Sequence, residues 1–273
     1  MKKLFSILLL LAMCGCSTVT DLVSGTPKAP APVNGQMLFV GLTRWWSHEN
    51  ADSSARIIAS AGAHGRSYEL AELKPTNTGN AATHAYMQKQ VEKIGAYLEA
   101  DKKYGLVSKI YWWNTNEMIK DQLTIAQHKA MIDDFCARYQ KYLSNILMMA
   151  MNEDDTNTPK ATIDAIRAHW RSKAVKGIIL YERPGGQYIE WHPRSWGSYP
   201  GANNSSTIFA SDNGPPLDVL TIGHTFDGSG KPDIAKAQEM VRTAWGKKQS
   251  VDCYNFYGKL DENWVKACVG ATK

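Results

Sequence analysis

The feature that most constrains this 273-residue chain is a repeated alternation. Short, almost wholly apolar segments are separated by stretches with helical periodicity. Strand segments are read at 37–43, 64–70, 107–113, 146–151, 177–181, 207–211, 218–225 and 250–257. Helical stretches are read at 53–61, 82–104, 122–143 and 232–247, after Thr158-Pro159, and at 261–269. Gly62 and Gly105 stand where the first two helices should stop, since glycine takes the left-handed cap conformation at least cost. Strand–helix alternation favours parallel pairing, and runs without polar alternation favour strands covered on both faces. The expected fold class is therefore α/β: an eight-stranded (β/α)8 TIM barrel. It is expected to be irregular around strands five to seven, where helices are missing or short. The rival open, doubly wound sheet would carry a Gly-rich phosphate turn after strand one. Thr43-Arg44-Trp45-Trp46 stands there instead, so nucleotide binding is not expected.

The amino terminus carries a different signal. Lys2 and Lys3 precede an apolar run from Leu4 to Met13 that is too short to span a bilayer and suits a signal h-region. Gly15 before Cys16 resembles the lipobox of bacterial lipoproteins, departing from it at Met13 and Cys14. The resemblance implies a signal peptide over 1–15 and acylation of Cys16, for example by palmitate. Residues 16–35, with Pro27, Pro30, Pro32, Gly25 and Gly35, read as a tether. Residues 36–273 form the barrel domain. Acyl chains hold a protein on a membrane without a spanning helix. The expected location is the cell envelope, on the outer membrane or cell surface.

Composition narrows the partners. The formal charge of +5 is spread out, and Lys102-Lys103 and Lys247-Lys248 read as solvated helix faces, so no nucleic-acid partner is expected. Cys136, Cys253 and Cys268 lack metal-site spacing, and no metal or cofactor is expected. Cys253 and Cys268 are one possible disulfide pair among three.

A β/α barrel carries its chemistry at the carboxyl ends of its strands. Carboxylates, amides and aromatics gather there, including Trp46, Arg66, Glu69, Trp113, Asn152, Glu153, Glu182, Asp212, His224, Asp227 and Tyr257. No nucleophile elbow or His-Glu-X-X-His helix is found. Paired carboxylates with indole walls suit glycoside chemistry, one acid protonating the leaving oxygen and the other attacking or activating water.

The run Ile146 to Met151 ending in Asn152-Glu153 resembles strand four of the clan A glycoside hydrolases, the β/α-barrel cellulases, mannanases and xylanases. The resemblance implies that Glu153 is the acid/base and that Asn152 binds a sugar 2-hydroxyl. Arg66 resembles the clan arginine that supports the nucleophile. The clan nucleophile, a Glu ending strand seven, has no counterpart in Val219 to Asp227. Asp227, Glu182 or Asp212 is then the candidate second acid. Trp46, Trp113, His224 and Tyr257 are candidate substrate contacts. The expected function is a membrane-tethered glycoside hydrolase acting on a polysaccharide or glycan. The alternative is a glycan-binding or envelope interaction lipoprotein on the same scaffold, without catalysis.

Overall fold

The computed structural model describes residues 25–42, 50–70, 78–113, 122–151, 159–173, 179–181, 206–211, 214–222, 233–255 and 260–273. Eight strands among them close into a barrel: β1 (Leu38–Leu42), β2 (Gly65–Glu69), β3 (Val107–Trp113), β4 (Ile146–Met151), β5 (Ile179–Tyr181), β6 (Ser206–Ser211), β7 (Gly214–Ile222) and β8 (Ser250–Asn255). The ring closes because β8 pairs in parallel with β1, Leu38 opposite Val251 and Leu42 opposite Asn255. Helices α1 (Ala51–Ala61), α2 (Asn80–Tyr104), α3 (Ile125–Tyr139), α4 (Lys160–Lys173), α5 (Ile234–Gly246) and α6 (Glu262–Gly270) are the α-helices of the described residues.

The helices start and stop where side chains can satisfy their free backbone groups. Thr124 and Gln127 form a reciprocal capping box at α3, and the Asp233 and Asp261 carboxylates cap α5 and α6. Gly62 (φ 98°) and Gly105 (φ 73°) close α1 and α2 in the left-handed conformation, as their positions in the sequence predict.

The expected barrel is present, and its irregularity is specific. Strands β1 to β5 run parallel, as do β7 and β8, whereas β6 runs antiparallel to both of its neighbours. The expectation of parallel pairing throughout is corrected here. Only Asp212 and Asn213 separate β6 from β7, and so short a link joins antiparallel strands, because a parallel return needs a crossover of a dozen or more residues. The same hairpin extends β7 back to Gly214, four residues before the expected start at Asp218, through Pro215 and Pro216. Those prolines cannot donate to a ladder.

Alternation along the strands divides the side chains between two layers. Leu38, Val40, Ile110, Trp112, Ile146, Met148 and Cys253 face the helices and join the main apolar core. Trp112 meets Phe135 of α3 and Trp170 of α4 edge-on, with ring centroids 6.1 and 5.2 Å away. Such aromatic pairs add roughly 0.5–1.5 kcal/mol each beyond the area they bury. Cys253 and Cys268 are both buried with their thiols in hydrogen-bond contact, unbonded, and this contact with burial pushes the Cys253 thiol well up. The other side of each strand faces the lumen. Gly65 is required there, because a Cβ would lie 2.5 Å from the Phe39 ring and 2.4 Å from the Val107 carbonyl.

Part of the expected tether is fastened to the domain. The Ala29 N–H donates to the Tyr104 carbonyl at 2.7 Å, and the Lys28 ammonium donates to the Lys103 carbonyl at 2.9 Å. The Gln36 amide donates to the carbonyls of Trp245 and Gln249. These anchor points lie at the ends of α2 and α5, just before β3 and β8 begin. The chain therefore enters the barrel on its amino-terminal rim.

Candidate functional site

The lumen holds a compact polar cluster contributed by β2, β3 and β8. The Asp252 carboxylate is its hub. Asp252 Oδ2 accepts from Ser67 Oγ at 2.6 Å and from Lys109 Nζ at 2.5 Å, with the Tyr111 hydroxyl 3.4 Å away. Lys109 Nζ also donates to the Tyr111 hydroxyl and lies 4.3 Å from the centroid of that ring. Lys109 and Asp252 have no solvent exposure. Asp252 Oδ1 is buried and has no hydrogen-bond partner among the described residues.

The register explains why these residues meet. Ser67 is opposite Lys109 across β2–β3, and Thr221 is opposite Asp252 across β7–β8. Alternation from Lys109 brings Tyr111 and then Trp113 to the same face of β3. A charge has to be paired to survive in such an interior, since an isolated buried ion is strongly penalised. The cluster is thus a neutral floor with an acceptor oxygen to spare. Toward the carboxyl ends of the strands stand Glu69, the last residue of β2, and Trp113, the last of β3, both buried. Trp113 Nε1 donates to Gln122 Oε1 at 3.2 Å, and its ring meets His128 edge-on at 4.8 Å.

The sequence-predicted residues divide into three groups. Trp113 ends β3 at the rim, where a substrate contact is expected, but it is fully buried, bonded to Gln122 and packed against His128 of α3. Arg66 points away from the lumen, which corrects its reading as a support for a nucleophile. Its Nε donates to Asp101 Oδ1 of α2 at 2.5 Å, one terminal nitrogen donates to Ser54 Oγ (2.6 Å) and the Ala51 carbonyl (3.0 Å), and the other donates to the Tyr97 carbonyl (3.1 Å). It locks β2 to α1 and α2. The alternation of β2 accounts for this: Gly65, Ser67 and Glu69 share one face, so Arg66 takes the other.

Trp46, Asn152, Glu153, Glu182, Asp212, His224, Asp227, Tyr257 and Cys16 lie outside the described residues. The strands that lead to them are described. β1, β4, β5, β7 and β8 all end on the carboxyl rim. β6 does not: its last residue, Ser211, pairs with Gly214, the first residue of β7, at the amino-terminal end. The reason for placing Asp212 on the loop-side rim is thereby removed.

Sequence reasoning missed Lys109, Asp252, Ser67 and Tyr111. The signal was present, because Lys109 and Asp252 each interrupt a segment otherwise read as interior strand. Among the described residues no group of three His, Cys, Asp or Glu side chains is arranged to hold a metal, and no helix is long and apolar enough to cross a membrane.

No protein-family model matches the sequence, and no curated protein sequence does. Solved structures do match. Thermotoga maritima Cel5A, in a mutant form with a cellobiose substrate, aligns with a TM-score of 0.54 and 14% identity, over 87% of this chain and 96% of that one. An endo-beta-mannanase/endo-beta-glucanase from Prevotella bryantii gives a TM-score of 0.53 at 10% identity, over 88% of this chain and 48% of that one. A glycoside hydrolase family 5 enzyme from Prevotella bryantii B14 gives 0.50 at 12% identity, over 88% and 96%. Against two other solved glycoside hydrolases the chain spans only 39% and 42% of their length. The fold is thus that of the glycoside hydrolase family 5 barrels.

Proposed function

We propose that this protein is a lipid-tethered glycoside hydrolase that acts on a polysaccharide or glycan at the carboxyl rim of its barrel. One observation carries the reading. The directions of β4, β5, β7 and β8 lead the chain out of a closed ring, on a single rim, into the stretches that hold Asn152-Glu153, Glu182, His224 with Asp227, and Tyr257. Glu153 is the acid that protonates the leaving oxygen, and a second carboxylate attacks the anomeric carbon or activates water. The fold shared with family 5 barrels supports the same chemistry.

The lipid anchor fits this geometry. Lys28, Ala29 and Gln36 are fastened at the amino-terminal rim, so a chain leading back to Cys16 departs from the side opposite the proposed site. The substrate face then looks away from the membrane of the cell envelope. Metabolic labelling with a palmitate analogue tests the anchor directly. The wild-type chain is expected to carry the label in the membrane fraction, and Cys16→Ala is expected to be unlabelled. Equal labelling of the two removes Cys16 from the reading.

Hydrolysis is tested with a panel of β-glucans, mannans and xylans, read as reducing ends released. Glu153→Gln keeps the shape of the side chain and removes its exchangeable proton. It is expected to lower turnover by about 10²–10⁴-fold, the usual weight of a positioned general acid, with an unchanged melting temperature. Undiminished turnover in that variant rejects the assignment of Glu153. The absence of a Glu between Val219 and Asp227 favours a second reading, a glycan-binding protein without catalysis. Binding to a glycan that the wild type never cleaves selects it.

A further inference from the structure

No Glu stands between Val219 and Asp227, where the clan A pattern has its nucleophile, and the barrel offers one elsewhere. We propose that Glu69 is the second carboxylate of the site, acting as the nucleophile; this rests on the glycoside-hydrolase reading above.

Three observations converge on Glu69. Among the residues that end the rim-directed strands, it alone carries a carboxyl group. It shares its strand face with Ser67, whose hydroxyl is bonded to Asp252 across the lumen, so Glu69 occupies the next lumen-facing position toward the rim. It is 7% exposed and lies in register with Tyr111, whose hydroxyl takes part in the Lys109–Asp252 cluster. The alternation of β2 thus excludes Arg66 from the lumen and admits Glu69. The cluster beneath is an ion pair with no net charge, built on Asp252 and Lys109, which are already committed to each other. Neither is available as the attacking group, and Asp101, the other buried acid near β2, faces the helices. A buried carboxylate at the mouth of the lumen, one position above this cluster on its strand face, has the placement that attack on a bound anomeric carbon requires.

The step balances without any further cofactor. A Glu69 oxygen bonds to the anomeric carbon as the glycosidic carbon–oxygen bond breaks, and the leaving oxygen takes the proton of Glu153. Water then adds its hydroxyl to the anomeric carbon, releasing the Glu69 carboxylate, and its proton returns to Glu153. One glycosidic bond and one water become two hydroxyl groups, with the anomeric configuration retained.

The test has two arms. In the first, wild-type protein is incubated with activated 2-deoxy-2-fluoro glycosides of glucose, mannose and xylose, which accumulate the glycosyl-enzyme, and the labelled peptide is mapped by mass spectrometry. Label on Glu69 is expected; label on Glu182 or Asp227 overturns the proposal while leaving the hydrolase reading intact. This arm does not depend on any variant folding. In the second, Glu69→Ala is expected to lose about 10³-fold or more of kcat/KM on the best glycan substrate, as loss of a nucleophile does. Added azide is expected to restore turnover and give a glycosyl azide. A merely structural Glu69 would show no such rescue, and activity within tenfold of wild type would overturn its role. A wild type that cleaves no glycan and takes no label overturns the hydrolase reading and the role of Glu69 together.

Discussion

Replacing Asp101 by alanine is expected to destabilise the fold by about 3–5 kcal/mol, the cost of breaking a buried ion pair from one side. The carboxylate is wholly buried on α2 and accepts three side-chain hydrogen bonds: Arg66 Nε at 2.5 Å, Ser108 Oγ at 2.6 Å and the Tyr68 hydroxyl at 2.7 Å. Burial pushes the Asp101 carboxyl above its ordinary range, against the opposing pull of the Arg66 guanidinium and the two hydroxyls. Arg66 has no exposure either, and its remaining donors reach Ser54, Ala51 and Tyr97. Without Asp101 a guanidinium stays buried with no counter-charge, between the rings of Tyr68 and Tyr97, each centred 5.4 Å from its central carbon. Asp101→Asn keeps one acceptor oxygen and is expected to cost less than alanine. Urea unfolding followed by tryptophan fluorescence checks both. A change below about 1 kcal/mol in Asp101→Ala, the range of a surface ion pair, would contradict the structural role given to this network.

This network also shows where the sequence was legible and where it was not. The strand and helix segments could be read because burial on both faces leaves a continuous apolar run, and because Gly62 and Gly105 mark helix ends. Closure of the ring followed from the count of segments. The direction of β6 did not, since apolar content carries no information on strand sense. The six residues between the segments read at 207–211 and 218–225 did contain it, being too few for a parallel crossover. Arg66 was misread because a motif likeness was followed ahead of alternation. With Gly65 forced against Phe39 in the lumen, Arg66 had to lie on the opposite face. Lys109 and Asp252 went unnoticed for a related reason. A charge inside an apolar segment looks like an interruption until its partner is known, and the partners are 143 residues apart in the chain. Glu69 was visible as a strand-end acid, but only the register sets it over that pair.

The Lys109–Asp252 pair supports the second large prediction. Lys109→Met alone is expected to cost about 3–5 kcal/mol, because it strands the Asp252 carboxylate in the lumen with Ser67 as its one close donor among the described residues. Asp252→Leu alone is expected to cost a similar amount by leaving the ammonium against the Tyr111 hydroxyl and ring without an anion. The double variant, with two apolar side chains of comparable length, removes both charges at once. It is expected to be more stable than either single variant, giving a coupling energy of about 2 kcal/mol or more in a double-mutant cycle. Additive losses would mean that the two groups do not sense each other, against the 2.5 Å contact between them. The same double variant separates support from function. Its barrel is closed and apolar, yet Tyr111 and the layer beneath Glu69 have lost their polar floor. If that floor serves only the fold, the stabilised double variant keeps wild-type turnover on the preferred glycan. Under the role proposed for Glu69, the expected result is a loss in kcat with KM little changed.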